Sequence, residues 1–195
     1  MIMVKTVQSI LSLILIGAVL AALCSCAYFA INVDPGDLNI DERDPKGEAP
    51  EDFSFSLVWG TYGISSYDSR TGKLVKTSDA TDPSKYTTTL SLDKETVNGI
   101  YSLLVSLDLE SYPSVYDPMN DPDSETQVAS SPSQTIKLTV RSEELNKTVS
   151  CEGIAFAAGY DEKARDFLSA VAEIRDILTS TDEWKALPDY EFYYE

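Results

Sequence analysis

The chain has 195 residues, enough for one domain plus accessory segments, since domains usually hold roughly 100–200 residues. Its 32 acidic and 15 basic residues leave a formal net charge of −17, which repels phosphate backbones and offers no basic stripe, so DNA and RNA are excluded as partners. There is no histidine, which removes His-based triads, His metal ligands and the commonest general base at once.

The N-terminus opens with a short region carrying one positive charge, Lys5. From Ile10 an uncharged apolar run of signal-peptide length follows, and it ends in Leu23-Cys24-Ser25-Cys26. These residues resemble a bacterial lipoprotein signal, whose lipobox sets an aliphatic residue, a small residue and Gly, Ala or Ser before the cysteine that receives lipid. Leu23, Ser25 and Cys26 match that pattern, and Cys24 stands as a small substitute at its second position. Cys24 is the poorer acceptor, because bulky Leu23 precedes it. The resemblance implies a signal peptide over residues 1–26, lipid (palmitate) on Cys26, and a domain held at the cell membrane on its extracytoplasmic side. In broad texture the remainder resembles small uncharacterised bacterial lipoproteins, and that likeness implies no activity.

A second reading stays open. No charge appears from Val7 to Val33, which is long enough to span a bilayer as an uncleaved helix. Lys5 before it and acids after it would again set the domain outside the cytoplasm. Free secretion is a third route. All three export the domain.

Residues 27–52 read as an acidic spacer. From Asp34 to Asp52 the sequence is rich in Asp, Glu, Pro and Gly and nearly devoid of core-forming residues, so it cannot bury enough apolar area to offset chain entropy. The single folded domain is expected over 53–195. Phe53, Phe55, Leu57 and Trp59 alternate with Asp52, Ser54, Ser56 and Val58, the period of a half-buried strand. Gly60 and Gly63 suggest a bulge or bend within it, continuing to Tyr67. Asp68 to Gly72 forms a hairpin loop, Lys73 to Thr77 returns as the second strand, and Tyr86 to Leu92 is the third.

Asp93 is an N-cap for a helix whose stripe is Val97, Ile100, Leu103, Leu104 and Leu107, with Pro113 as its stop. Tyr112 to Pro132 is a long irregular stretch. Ile136, Leu138 and Val140 mark another strand, and Thr148 to Ile154 pairs back with Val149 and Cys151 facing inward. Asp161 caps the second helix, whose stripe is Phe167, Leu168, Val171, Ile174, Ile177 and Leu178. Ser180 and Glu183 have capping-box spacing for one more turn, which Pro188 stops.

The order βββ-α-ββ-α predicts an α+β fold: a mainly antiparallel sheet of about five strands with two helices packed on one face. Two groups of residues are candidates for function. Asp117, Asn120, Asp121, Asp123 and Glu125 crowd oxygen donors into one loop, a composition suited to Ca²⁺. Pro122 stands where a calcium-binding EF-hand loop needs glycine, so the alternative is a solvated acidic loop. Tyr62, Tyr112, Tyr116, Tyr190, Tyr193 and Tyr194 could line a recognition surface, or serve as ordinary packing. No cofactor motif is present, and Cys151 has no local basic group to activate it.

The expected function is a non-enzymatic module that binds an envelope protein or peptide. The alternatives are a small-molecule or cation-binding lipoprotein and a carboxylate-dependent hydrolase.

Overall fold

Along β1 (Ser54–Trp59) Phe55, Leu57 and Trp59 are buried while Ser54, Ser56 and Val58 are half-exposed, so the sequence alternation becomes two different sheet faces. This strand lies near the middle of a six-stranded antiparallel sheet ordered β4-β3-β2-β1-β5-β6 in the computed structural model. The others are β2 (Ser65–Asp68), β3 (Lys73–Val75), β4 (Thr87–Thr89), β5 (Thr135–Arg141) and β6 (Asn146–Glu152). The structure describes residues 48–118, 131–143, 145–152, 154 and 161–193, all within the compact unit Glu42–Glu195.

The sheet has six strands rather than about five because the first expected strand folds back on itself. Gly60, Tyr62 and Gly63 all take positive φ (90°, 54° and 67°), and the Gly63 amide donates to the Gly60 carbonyl across 3.0 Å. A left-handed run of this kind reverses the chain instead of merely bulging it. β2 then pairs with β1, Leu57 facing Tyr67 and Trp59 facing Ser65.

One row of residues fixes the register across five strands. Leu74, Tyr67, Leu57, Leu138 and Val149 are successive cross-strand partners, and all are buried. A slip of one residue would turn neighbours such as Ser56, Ser66, Lys73, Lys137 or Thr148 toward the core, so the pattern favours its own alignment.

Two longer helices, α1 (Lys94–Ser106) and α2 (Glu162–Ser180), cover the apolar face, and their buried residues join a single core with Phe55, Leu57 and Trp59. The fold is α+β. The Asp93 side chain caps α1 by accepting from the Thr96 amide at 2.7 Å, and Asp161 caps α2 through the Ala164 amide at 2.7 Å.

Several element ends differ from expectation, β3 closing at Val75 rather than Thr77 and β6 running Asn146–Glu152 rather than Thr148 to Ile154. α1 stops at Ser106, well before Pro113, because Asp108 turns left-handed at φ 48° and starts a short 3-10 turn, Leu109–Ser111. Strand β4 keeps only Thr87–Thr89, since Tyr86 belongs to a 3-10 turn and Leu90 leaves the ladder after donating to the Gly72 carbonyl. The last helical turn, α3 (Asp182–Lys185), is capped by Thr181, whose hydroxyl accepts from the Trp184 amide, whereas the Ser180 hydroxyl donates back to Ile177 inside α2.

Residues 48–52, at the end of the acidic stretch, contact α1 and the β5–β6 turn. Asn98 accepts from the Ala49 amide, Lys94 pairs with Glu48, and Asp52 accepts from the Glu143 amide. The outer edge of β6 is covered at Ser150, which exchanges backbone hydrogen bonds with Ser114 and Tyr116.

Candidate functional site

Cys26, Asn120, Asp121, Asp123, Glu125 and Tyr194 lie outside the described residues. Asp117, the remaining member of the acidic group, is exposed. Among the described residues no three His, Cys, Asp or Glu side chains gather as a metal would need.

The five described tyrosines of the candidate set separate by environment. Tyr112 and Tyr116 sit in the core at 3% and 8% exposure, not on a surface. They pack on each other edge to face at 5.2 Å and both contact the Phe167 ring of α2. Each hydroxyl reaches the start of α2: Tyr112 donates to the Lys163 carbonyl at 3.0 Å and Tyr116 to Asp161 at 2.7 Å. Burial pushes both phenols well above their ordinary range, with nearby carboxylates adding to it. These tyrosines fasten the chain after α1 to α2. Cys151 lies in the same core, and burial, with Asp117 adding, pushes its thiol up to about 12.

Tyr62 is exposed at the tip of the β1–β2 turn. Tyr190 and Tyr193 belong to the C-terminal strip, Leu187–Tyr193, where Phe192 and Tyr193 are 47% and 73% exposed. This strip is seated at two points. Beneath it lies Lys76, only 8% exposed. Its Nζ sits 5.7 Å from the Trp184 ring centre and 5.5 Å from that of Tyr190, and donates to the Leu187 carbonyl at 3.3 Å. A desolvated cation over aromatic faces gains about 2 kcal/mol or more from the ring quadrupole, which offsets part of the cost of burying the ammonium.

At the second point Glu191 accepts from both the Thr81 amide, at 2.9 Å, and the Thr81 hydroxyl, at 2.5 Å. Those two bonds hold the Glu191 carboxyl below its usual range. Trp184 is anchored in turn by stacking on Trp59 at 5.7 Å, and Tyr190 meets Tyr193 edge to face at 6.1 Å. The strip is therefore an aromatic and acidic ribbon laid over the end of β3, with Phe192 and Tyr193 facing solvent.

Sequence reasoning found the aromatic end but not what seats it. Lys76 and Leu187 are 111 positions apart, and Thr81 and Glu191 are 110 apart, so no local spacing could pair them.

A separate shallow cleft of about 300 Å³ is lined by Tyr67, Ser69, Arg70, Thr71, Leu90 and Val97, among others. Arg70 makes no hydrogen bond or ion pair among the described residues, and the Tyr67 hydroxyl donates to the Leu90 carbonyl at 3.2 Å.

No protein-family model, curated protein or solved structure matches this chain.

Proposed function

We propose that the protein is an extracytoplasmic lipoprotein, anchored through Cys26, that serves as a non-enzymatic binding module for an envelope protein or peptide. The anchor reading rests on the apolar leader closing on Leu23-Cys24-Ser25-Cys26. The binding reading is carried by one observation: the C-terminal strip exposes Phe192 and Tyr193 while Lys76 and Thr81 hold it in a fixed position. Seating of this kind reduces the ordering cost that a free aromatic tail would bear on binding. Aromatic residues are also the type enriched at protein interfaces.

The mass of the mature N-terminus tests the anchor. A chain beginning at acylated Cys26 is the expected result, whereas an intact N-terminus carrying Met1 would select the uncleaved helix. Cytosolic chain with Met1 and an unmodified Cys26 would overturn both. The binding role is tested by cross-linked capture from solubilised envelope with the unaltered chain and with Phe192→Ala/Tyr193→Ala. Capture that survives the double substitution would remove the strip from the reading.

A second reading has its own observation. The cleft beside Arg70 combines hydroxyls, the apolar side chains of Leu90, Leu92 and Val97, and a guanidinium with no ion pair among the described residues, a set that suits a small amphipathic anion. A thermal shift with short-chain carboxylates that disappears in Arg70→Ala would favour it.

A further inference from the structure

The strip already binds one cation. On its buried side Lys76 lies against the Tyr190 and Trp184 rings with a backbone carbonyl as acceptor. Its open side also presents aromatic rings and an acid to solvent. The Tyr193 ring continues from Tyr190, Phe192 is exposed between them, and Asp189 is exposed at the start of the run.

Charge favours the same class of ligand. From Asp182 to Tyr193 four acids (Asp182, Glu183, Asp189 and Glu191) stand against one lysine within the segment, Lys185, with Lys76 beneath it and Lys85 near enough to act on Glu191. The whole chain is at −17, so a cationic segment is drawn toward it from any direction. Long-range attraction alone would leave such a segment anywhere on the surface. Exposed aromatic faces on an acidic segment give it a place to stop, because a guanidinium or ammonium gains from ring faces as well as from negative charge.

We infer that the solvent face of Leu187–Tyr193 is the docking site for a basic polypeptide segment, whose Arg or Lys side chains lie over Tyr193 and Phe192 as Lys76 lies under Tyr190. This rests on the binding-module reading above and adds the chemistry of the partner.

The test uses the full chain in detergent and an Arg-Gly repeat peptide as the probe, with the citrulline-Gly repeat as its uncharged isostere. Titration calorimetry at low ionic strength is read for the unaltered chain, Phe192→Ala/Tyr193→Ala and Tyr62→Ala. The three substituted side chains are 47% to 73% exposed, so the fold should survive, which circular dichroism checks. The expected result is binding of the arginine peptide alone, weakened about tenfold or more in the double variant and unchanged in Tyr62→Ala. Equal binding to all three chains would mean attraction to the acidic surface in general and would overturn the inference. So would equal affinity for the citrulline peptide. If envelope capture depends on the strip but the captured segment is acidic or neutral, the basic-partner inference falls while the binding-module reading stands.

Discussion

One carboxylate oxygen of Asp161 accepts both the Tyr116 hydroxyl and the Ala164 amide, each at 2.7 Å, so the cap of α2 is also the anchor of the chain leaving α1. The Tyr116 hydroxyl, followed by the helix amide, holds the Asp161 carboxyl below the ordinary carboxylate range. A folded-state value below the unfolded one contributes stability above about pH 4, and that contribution is lost as pH falls through the lowered value.

Tyr116→Phe removes the hydroxyl bond while keeping the ring against Phe167, and should cost about 1 kcal/mol in urea unfolding. Asp161→Asn keeps a competent cap but no longer titrates, so it should flatten the acid limb of stability against pH. An acid limb identical to that of the unaltered chain would reject the shared-carboxylate account.

Cys151 should behave as a small hydrophobe. With its thiol raised to about 12 and its side chain buried beside the Ile136 carbonyl, almost no thiolate exists at neutral pH. Iodoacetamide should label it only after denaturant is added. Rapid labelling of the native chain at this position would contradict the packing described.

Gly72 closes the β2–β3 hairpin at φ 68°, and a Cβ there would stand 2.9 Å from the Leu90 carbonyl oxygen. The nearest atom is backbone, with the Thr89 methyl next at 3.1 Å, so the chain itself would have to shift. Gly72→Ala should therefore destabilise by about 1–3 kcal/mol, seen as a lower denaturation midpoint with an unchanged slope. Gly99, in the middle of α1, has open space around it, so Gly99→Ala should be neutral or stabilising by up to about 1 kcal/mol. The opposite signs check the geometry of both sites in one experiment.

Lys76→Ala takes away the cation beneath Trp184 and Tyr190 and the donor to Leu187. The strip should then lift while the sheet stays folded. Trp59 and Trp184 are the chain's two tryptophans and stack together, so emission should shift to the red. Trypsin should also cut after Lys185 several-fold faster. A spectrum and a cleavage rate unchanged from the original would show that Lys76 does not seat the strip.

Much of the fold was legible because its signals are local. The alternation of Phe55, Leu57 and Trp59, the apolar stripes of both longer helices, and the caps Asp93 and Asp161 each need only a few neighbouring residues to be read. Gly60 and Gly63 were legible as a break but not as a reversal. Glycine serves bulge and turn equally, and only the pairing of Tyr67 with Leu57 decides between them.

The tyrosines mark the limit. Tyr has an apolar ring and a polar tip, so composition allows it to sit in a core or on a surface with equal ease. Tyr112 and Tyr116 went inward because Lys163 and Asp161 offered acceptors at the start of α2, 51 and 45 positions away. By itself the sequence determined the charge, the apolar N-terminal run, the α+β class and the inward faces of β1 and the two longer helices, since these are properties of single residues and short periods. Only the tertiary structure decided which aromatics face water and which lysine holds them, because those outcomes depend on partners from about 45 to 111 positions apart in the chain.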